Sequence, residues 1–401
     1  MAGDRAICRA RPGDARAAWL VNVAAEREGF DGLDVLQECD DAASLLLWQG
    51  LRDVVLWGTT TPVDRGSLFG PCAYASLVGI RASAEVDPPL QVPLACLCDL
   101  VASPANTDPG LLEIACLAIA KWAVATQRIR TALHFAEAAA LVCPRSPAAA
   151  AEAGELALRL GRHQRAQVWL RLAAGLSRRS CAWSVHGAAR LSLGRLYALR
   201  GDHTAGRGSL LVGLRVARRH KLDRLRGRIA LELFRVCRMN ADYRGAMRYS
   251  RMAQRFLHPG GAAVRELRRE IAEFWIETGE PCRAVRLLQG AAVARHPVED
   301  RIACMVLLVQ AAAAAQDLVA MDTAWDNATS LIRVHGETDA TARQLLSLAE
   351  AAAGHIEQCR VAAVTHQAAG AARRRGDEAT ASAAAAFLRS IEDGRSGRIT
   401  A

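Results

Sequence analysis

Carboxylate pairs one helical turn apart are the nearest approach to a catalytic arrangement in this sequence of 401 residues. Glu266/Glu270 and Glu273/Glu277 have i,i+4 spacing, which places both members of each pair on one helix face. Such a pair could serve as general acid and base. A neighbouring cation such as Arg269 favours ion pairing instead, so we expect no acid–base dyad here.

The cysteines and histidines also lack a catalytic or metal-binding pattern. Twelve Cys and ten His are scattered singly, without C-x-x-C, H-E-x-x-H or G-x-S-x-G spacing, and no phosphate-binding Gly-rich motif precedes a lysine. Cys116, Cys237 and Cys304 stand among aliphatic residues, which is typical of small buried hydrophobes in a reducing compartment. We therefore predict a protein that is not an enzyme and has no cofactor and no metal site.

Composition indicates the elements that would carry any binding residues. Apolar residues are 51% of the chain, aromatics only 5%, and Ala about a fifth, a balance that favours closely packed helices over a β-sandwich or barrel. The longest apolar run, 303–315, is interrupted by Gln310 and is shorter than the roughly 20 residues that a membrane helix needs. With no apolar signal sequence, we expect a soluble cytoplasmic protein with no membrane partner.

Charge is segregated along the chain. Residues 1–110 carry 8 basic and 15 acidic side chains, a net charge of −7. Residues 111–296 carry 33 basic and 13 acidic side chains, a net charge of +20. Residues 297–401 carry 10 basic and 13 acidic side chains, a net charge of −3. The middle of the chain therefore favours an acidic partner.

One spacing pattern recurs from about residue 113. A turn position is followed by small residues five and twelve places later, and Gly or Ala fills 11 of these 14 places. An Asp often starts the following segment, as Asp202 and Asp242 do. Successive turn positions lie 34, 40, 40, 38, 37 and 38 residues apart, at Gln127, Gly161, Gly201, Ala241, Gly279, Gln316 and Gly354. This period predicts helical hairpins, whose small residues let neighbouring helices approach closely.

The clearest copy reads Leu193-Gly194-x-x-Tyr197-x-x-x-Gly201-Asp202, followed by Gly206, Leu210 and Gly213. It resembles the tetratricopeptide repeat (TPR) family over residues 113–375, in the extended form found in bacterial regulatory proteins rather than the usual repeat of about 34 residues. The resemblance implies an all-α fold, an α-α superhelix in which antiparallel helical hairpins stack and none is stable alone.

We predict four segments. Residues 1–110 form an acidic helical module, either divergent hairpins or a separate cap, with helices within 14–57, 72–80 and 90–101. Residues 111–375 form about seven TPR-like hairpins, the last of which is degenerate because Cys359 and His366 occupy its small-residue places. Residues 376–392 form a C-terminal capping helix, and residues 393–401 a flexible tail.

The resemblance also implies a binding face, because the first helices of TPR hairpins line a concave groove where peptides commonly bind. Six residues before each turn position it places a groove-facing residue, and the groove is positive in the middle repeats. No Asn occupies the places where family members clamp a C-terminal carboxylate, so that mode is not expected. The predicted partner-binding residues are Lys121, Arg159, Arg195, Arg228, Arg235, Arg238 and Met239.

These features predict a protein-interaction scaffold or adaptor that binds an acidic protein or peptide through Arg–carboxylate contacts. One alternative is nucleic-acid or polyanion binding along the basic middle repeats, although a plain solvated surface explains the run from Arg215 to Arg226 more simply. Another alternative is a regulatory protein in which residues 1–110 cover the groove, in cis or across a homodimer.

Overall fold

The computed structural model describes residues 33–38, 42–70, 86–292, 297–335 and 340–399. Within these ranges the protein is entirely helical, with no strand and one short 3₁₀ turn at Arg65–Ser67, which confirms the predicted all-α class. The helices, numbered in chain order, are α1 Leu33–Glu38, α2 Ala42–Thr59, α3 Pro88–Ala102, α4 Pro109–Ala125, α5 Ile129–Val142, α6 Pro147–Arg159, α7 His163–Arg179, α8 Trp183–Leu199, α9 His203–Arg219, α10 Asp223–Met239, α11 Tyr243–Phe256, α12 Ala262–Glu277, α13 Pro281–Ala292, α14 Val298–Ala315, α15 Leu318–His335, α16 Thr341–Ala352, α17 Gln358–Arg374 and α18 Glu378–Ile399.

Within each of two compact units, consecutive helices pack as antiparallel hairpins, and the hairpins of a unit stack on one another. We call the first helix of each hairpin an A helix and the second a B helix, so that the A helices are α4, α6, α8, α10, α12, α14 and α16. The chain divides into two compact units, residues 1–252 and 253–401, with the division inside α11. Each unit has its own hydrophobic core, and each is a TPR-like stack.

All seven predicted turn positions have left-handed backbone conformation, with φ between 54° and 82°. At Gly201 the amide of Asp202 donates to Tyr197 O (2.9 Å) and that of Gly201 to Ala198 O (3.0 Å), which is the Schellman arrangement that closes a helix C-terminus. Asp202 then caps α9 by accepting from Ala205 N at 2.9 Å. The structure therefore confirms the predicted turn positions between the two helices of each hairpin.

Two connections between hairpins, α7 to α8 and α9 to α10, have the same left-handed geometry, which the repeat pattern did not reveal. Cys181 (φ 55°) and Lys221 (φ 54°) end α7 and α9 as Gly161, Gly201 and Ala241 end the A helices. Helices α7 to α10 are each 17 residues long and are joined by three-residue turns. The 40-residue spacing is thus two equal half-repeats of 20.

Small residues occur where helix backbones come closest. A methyl group at Gly206 of α9 would lie 3.1 Å from Gly194 O of α8. One at Gly213 would lie 3.2 Å from both Arg190 Cβ of α8 and Ile229 Cδ1 of α10. The small-residue places therefore let a B helix pack tightly between two successive A helices.

The degenerate last hairpin has a shifted register. Helix α17 starts four residues after Gly354, whereas the other B helices start two residues after their turn positions. Cys359 and His366, expected at contact places, are consequently exposed. Val361 and Ala368, two residues further along, are buried instead. The following helix, α18, continues to Ile399, beyond the predicted end of the cap at residue 392.

The N-terminal helices share the core of the first hairpins. Trp57 of α2 is fully buried and donates its Nε1–H to Pro104 O at 2.7 Å. The buried cluster is continuous from α1 to α8, so it crosses residue 110 without a break. Helices α2 and α3 match the predicted segments, whereas the expected helices within 14–32 and 72–80 lie outside the described residues.

A buried ion pair joins the first two B helices. The Arg165 guanidinium of α7 binds the Glu137 carboxylate of α5 through Nε (2.5 Å) and through Nη2, and Trp169 Nε1 donates to the same carboxylate at 2.8 Å. Arg165 is 5% and Glu137 1% exposed. Because the carboxylate is surrounded by donors, the charges are compensated inside the core.

Candidate functional site

The A helices form the narrow, inner face of each stack. In the first unit α8 contacts both α6 and α10, and in the second α14 contacts both α12 and α16. Successive B helices, where described, lack comparable contact. Because the stacks are tighter on the A side, each curves toward that side, and the exposed face of the A helices is the concave one.

The predicted groove residues all lie on A helices of the first unit. Lys121, Arg159 and Arg228 are exposed, as is Met239, while Arg195, Arg235 and Arg238 are partly buried. Their distribution over α4, α6, α8 and α10 gives the concave face a cation on every A helix of this unit.

A ladder of alternating charges crosses three successive A helices. Arg195 of α8 lies with Nη1 3.4 Å from Glu155 Oε1 of α6 and with Nε 3.3 Å from Glu232 Oε1 of α10. Arg235 Nη1 contacts the same Glu232 oxygen at 2.8 Å, and Ser192 donates its hydroxyl to Glu155 Oε2 at 2.5 Å. These four charged side chains form what we call the charge ladder.

The charge ladder changes the expected role of Arg195 and Arg235. Both belong to internal ion pairs, so a ligand carboxylate would share these guanidinium groups with Glu155 and Glu232 instead of meeting isolated charges. The repeat pattern places Glu155 on this face, six residues before Gly161, and the i,i+4 spacing predicts an ion pair of Arg228 with Glu232. The contacts of Glu232 with Arg195 and Arg235 were not predicted, and the i,i+3 spacing to Arg235 was the available signal.

Exposed apolar side chains accompany the charges. Leu199 and Met239, the last residues of α8 and α10, are 67% and 62% exposed and stand at the same place in successive half-repeats. Ile114 of α4, two helical turns before Lys121, is 65% exposed. The sequence predicted Met239 and missed Leu199 and Ile114, which mark a concave face that is partly apolar as well as cationic.

The two acids of α1, Asp34 and Glu38, bind the B helix α5 rather than the predicted groove. The Glu38 carboxylate accepts from the backbone N–H groups of Arg130 (3.0 Å) and Thr131 (2.8 Å), and so caps α5, whose own N-cap residue makes no side-chain cap bond. Asp34 lies 3.3 Å from His134 Nε2 and 3.4 Å from Arg130 Nη1. The hydrogen bond with His134, opposed by burial and helped by the nearby arginines, lowers the pKa of Asp34. Thus α1 fastens to the start of α5 and leaves the charge ladder uncovered.

A second cationic surface lies at the turns that join α7 to α8 and α9 to α10. Its exposed members, which we call the basic edge, are Arg178, Arg179, Arg218, Arg219, Lys221 and Arg224. Asp223, the acid nearest in sequence, is bound by Arg226 at 2.9 Å. Within this edge the Trp183 and His220 rings stack with centroids 4.7 Å apart and planes 11° apart, an aromatic feature that the sequence did not reveal.

The described residues show no metal cluster, and the buried thiol of Cys237 is not activated. Across the described ranges, no three His, Cys, Asp or Glu side chains converge in a way that could hold a metal ion. Burial raises the pKa of the Cys237 thiol to about 11, which keeps it protonated and unreactive near neutral pH. Arg269 and Arg265 both bind Asp300, at 3.2 and 2.5 Å respectively.

None of the described helices combines the length and apolarity needed to cross a bilayer.

No protein-family model matches the sequence, and no curated protein matches it either. Solved structures similar to it include BtubC from P. vanneervenii, with 15% identity over 58% of this chain and 94% of that chain and a TM-score of 0.44. A Rap protein complexed with competence and sporulation factor has 9% identity over 88% of this chain and 97% of that chain, with a TM-score of 0.43. The TPR2AB domain of yeast Sti1 in its pHSP90 complex has 12% identity over 71% of this chain and 99% of that chain, with a TM-score of 0.28. All three TM-scores are below 0.5, and the fold assignment rests on the chain's own hairpin geometry.

Proposed function

We propose that the first unit is a non-catalytic protein-interaction module whose concave face binds an extended or helical partner segment carrying both carboxylates and bulky apolar side chains. The observation that carries this proposal is the alternation of exposed apolar and cationic side chains on the concave face. Leu199 and Met239 lie one helical turn after the ladder arginines Arg195 and Arg235, and Arg159 and Arg228 add exposed positive charge on α6 and α10.

The charge ladder supports recognition by orienting its arginines in advance. Arg195 is held from both sides by Glu155 and Glu232, so little side-chain entropy remains to be lost when a ligand binds. Because the ladder itself is neutral, the net attraction for an acidic segment comes from Lys121, Arg159 and Arg228. Burial of apolar ligand side chains against Leu199 and Met239 supplies the affinity that exposed ion pairs alone do not provide.

Selection from a random peptide library displayed on phage tests this proposal. The wild-type chain should enrich peptides that combine Asp or Glu with Leu, Ile, Phe or Trp, and the double variant Arg228→Glu/Met239→Glu should lose them. The control Arg215→Glu/Leu211→Glu makes the same kind of change on the B helix α9, where both side chains are exposed, and should retain them. Enriched peptides without acidic residues, or binding unaffected by the concave-face variant, would refute the proposal.

A second candidate function is polyanion binding at the basic edge, and the Trp183–His220 stack favours it. Single-stranded nucleic acid is bound by surfaces that combine cations with aromatic rings on which bases stack. The charge at this edge is exposed, and the ring pair lies among the arginines. This candidate involves the turns between hairpins, so it is separable from the concave face.

A mobility-shift assay with a labelled single-stranded oligonucleotide across a salt series decides between the two surfaces. If the basic edge binds, Arg218→Gln/Arg219→Gln/Lys221→Gln should weaken the complex and flatten its salt dependence. The triple control Lys121→Gln/Arg159→Gln/Arg228→Gln removes the same charge from the concave face and should have a smaller effect. No shift at low salt excludes the second candidate.

A further inference from the structure

One face of helix α11 carries three successive arginines. Arg244, Arg248 and Arg251 have i, i+4 and i+7 spacing, so they lie within about 60° of one another around the helix and span about 10 Å along it. All three are exposed and belong to the first unit. We call them the arginine row. Arg255 follows at the same spacing but lies beyond that unit, so the row does not include it.

The row is particular to α11 and does not follow from the abundance of arginine in the middle of the chain. Its members stand three, seven and ten residues after the turn position Ala241. The corresponding places after Gly161 and Gly201, on α7 and α9, hold mostly uncharged residues. They are Gln164, Val168 and Arg171 on α7 and Thr204, Gly208 and Leu211 on α9. One of these six residues is basic, whereas all three are basic on α11.

Neither its own helix nor the other described residues compensate the charge of the row. Helix α11 contains no Asp or Glu. The preceding acid, Asp242, caps α11 by accepting from a backbone N–H at 2.9 Å and faces Arg207 Nη1 at 3.6 Å. Among the residues that the structure describes, no carboxylate forms an ion pair with the row, and the undescribed residues nearest in sequence, 293–296, include no acid. The Arg248 guanidinium lies 5.9 Å from the Tyr249 ring, a contact that leaves its charge in place.

The row is poorly suited to an acidic peptide. An exposed pair of arginine and carboxylate raises an affinity at most about fivefold, so three pairs give about a hundredfold relative to the 1 M standard state and fall short of a millimolar complex. In protein complexes buried apolar anchors supply the rest. The side chains between the arginines do not provide such anchors, because Met247 is half-buried and Ala246 and Tyr249 are buried.

The phosphate backbone of duplex DNA suits the row better. The duplex carries one negative charge for about every 1.7 Å of its axis and holds condensed counterions, whose release favours each arginine–phosphate contact. Single strands additionally need aromatic rings for stacking, and RNA recognition uses contacts to 2′-hydroxyl groups. The exposed ring of Tyr243 lies about 100° around the helix from Arg244. The Ser250 hydroxyl is buried and donates to Met247 O at 3.0 Å.

We propose that the arginine row binds the phosphate backbone of duplex DNA without reading its sequence. Arginine pairs with phosphate through two parallel hydrogen bonds, and phosphate contacts fix the position of a protein on the duplex without distinguishing bases. The row lies on a B helix and shares no residue with the concave face or with the basic edge. The inference therefore does not rest on the function proposed for either surface.

The test is a fluorescence-anisotropy titration of a labelled DNA duplex of about 20 base pairs with the full chain, from about 20 to 200 mM salt. The row variant Arg244→Gln/Arg248→Gln/Arg251→Gln should weaken the complex at least about tenfold at the lowest salt. It should also reduce the slope of log K against log salt by about 2.7, or about 0.9 for each lost phosphate contact. Replacing the same three arginines by Lys keeps the charges and should keep the slope. A duplex of different sequence should bind within about twofold.

A matched variant and three further probes decide whether the row itself binds duplex DNA. The control Arg218→Gln/Arg219→Gln/Lys221→Gln removes the same charge from the basic edge and should weaken duplex binding less than the row variant does. The further probes are poly-glutamate, a DNA single strand and an RNA duplex of matched charge, and the row variant should lose less affinity for each of them than for the DNA duplex. The proposal is overturned by equal losses in the two Gln variants, since affinity then follows net charge alone. It is also overturned by an unchanged salt slope in the row variant, or by a larger loss for any of the three further probes.

Discussion

Arg195 on α8 and Glu232 on α10 join two successive A helices by a contact of 3.3 Å between Nε and Oε1. The same oxygen accepts from Arg235 at 2.8 Å. Glu232 is thus the shared acceptor of the charge ladder, and it holds in place Arg195 and Arg235, two of the five arginines that the sequence predicted as partner-binding residues.

Removing this shared acceptor should have opposite effects on stability and binding. Glu232→Gln should cost only about 1 kcal/mol or less of unfolding free energy, since the pairs are partly solvated. The same change leaves Arg195 and Arg235 with more positive charge for a ligand, so an acidic peptide selected on the wild type should bind more tightly. Urea denaturation and calorimetric titration measure the two effects. Weaker binding of the acidic peptide by Glu232→Gln would contradict the placement of the ligand over the ladder.

Breaking the buried ion pair between Glu137 of α5 and Arg165 of α7 should reduce the unfolding free energy far more than Glu232→Gln does. Glu137→Gln leaves the Arg165 guanidinium, 5% exposed, without its counter-ion and should destabilise the first unit by about 3–5 kcal/mol. Adding Arg165→Met should recover much of that loss, because the unpaired charge is then gone. Arg207→Gln is the control, since its partner Asp242 lies 3.6 Å away and both are largely solvated; it should cost about 1 kcal/mol or less. Guanidinium denaturation provides the comparison.

The sequence predicted the all-helical class and the turn positions because both depend on local rules. A left-handed turn favours Gly, and close helix contacts require small residues, so Gly201, Gly206 and Gly213 are visible in the pattern. The degenerate copy was misaligned because two extra turn residues before α17 shift its register, which composition does not show. The Glu155–Arg195–Glu232 contacts could not be predicted, because they depend on the lateral spacing of A helices 37 residues or more apart in sequence.

Substitution of glycine by alanine should have opposite effects on stability at Gly201 and Gly208, because Gly201 lies in a left-handed turn and Gly208 lies within a helix. Gly201 has φ 79°, a conformation that costs an L-residue about 1 kcal/mol, so Gly201→Ala should destabilise the chain by about that amount. Gly208 lies within α9, where a Cβ would meet nothing within 4 Å. Gly208→Ala should therefore stabilise by about 0.5–1 kcal/mol. Thermal unfolding of both variants checks the pair, and a change of the same sign in both would contradict the turn geometry.

Acid stability should depend on Asp34. Its pKa is lowered by the hydrogen bond with His134 and by Arg130 and Arg162, so its contribution is present above the unfolded-state value of about 3.9 and is lost as the pH falls through the lower folded-state value. Asp34→Asn should reduce stability at neutral pH and flatten the loss of stability below about pH 4.

The contribution of Asp53 to stability should depend on pH in the opposite direction from that of Asp34. Burial raises the pKa of Asp53 despite its bond to Arg52. Its contribution is therefore present below the unfolded-state pKa and is lost as the pH rises through the folded-state value. Asp53→Asn should remove this loss, so its stability relative to the wild type should rise with pH across the acid range, where that of Asp34→Asn falls. Urea midpoints measured from about pH 3 to 7 distinguish the two, and parallel profiles would contradict the assignment.

The rates at which Cys359 and Cys304 react with a thiol reagent should reveal the shifted register of α17. Cys359 occupies a place where the repeat pattern expects a buried small residue, yet it is exposed, whereas Cys304 of α14 is 4% exposed. Burial also raises the pKa of Cys304, so its thiolate fraction is small as well as inaccessible. Under native conditions iodoacetamide should modify Cys359 rapidly, together with the exposed Cys181 and Cys282, and should reach Cys304 only as the second unit unfolds. Peptide mapping by mass spectrometry over time follows each site separately. Protection of Cys359 equal to that of Cys304 would restore the unshifted register and place Val361 on the surface.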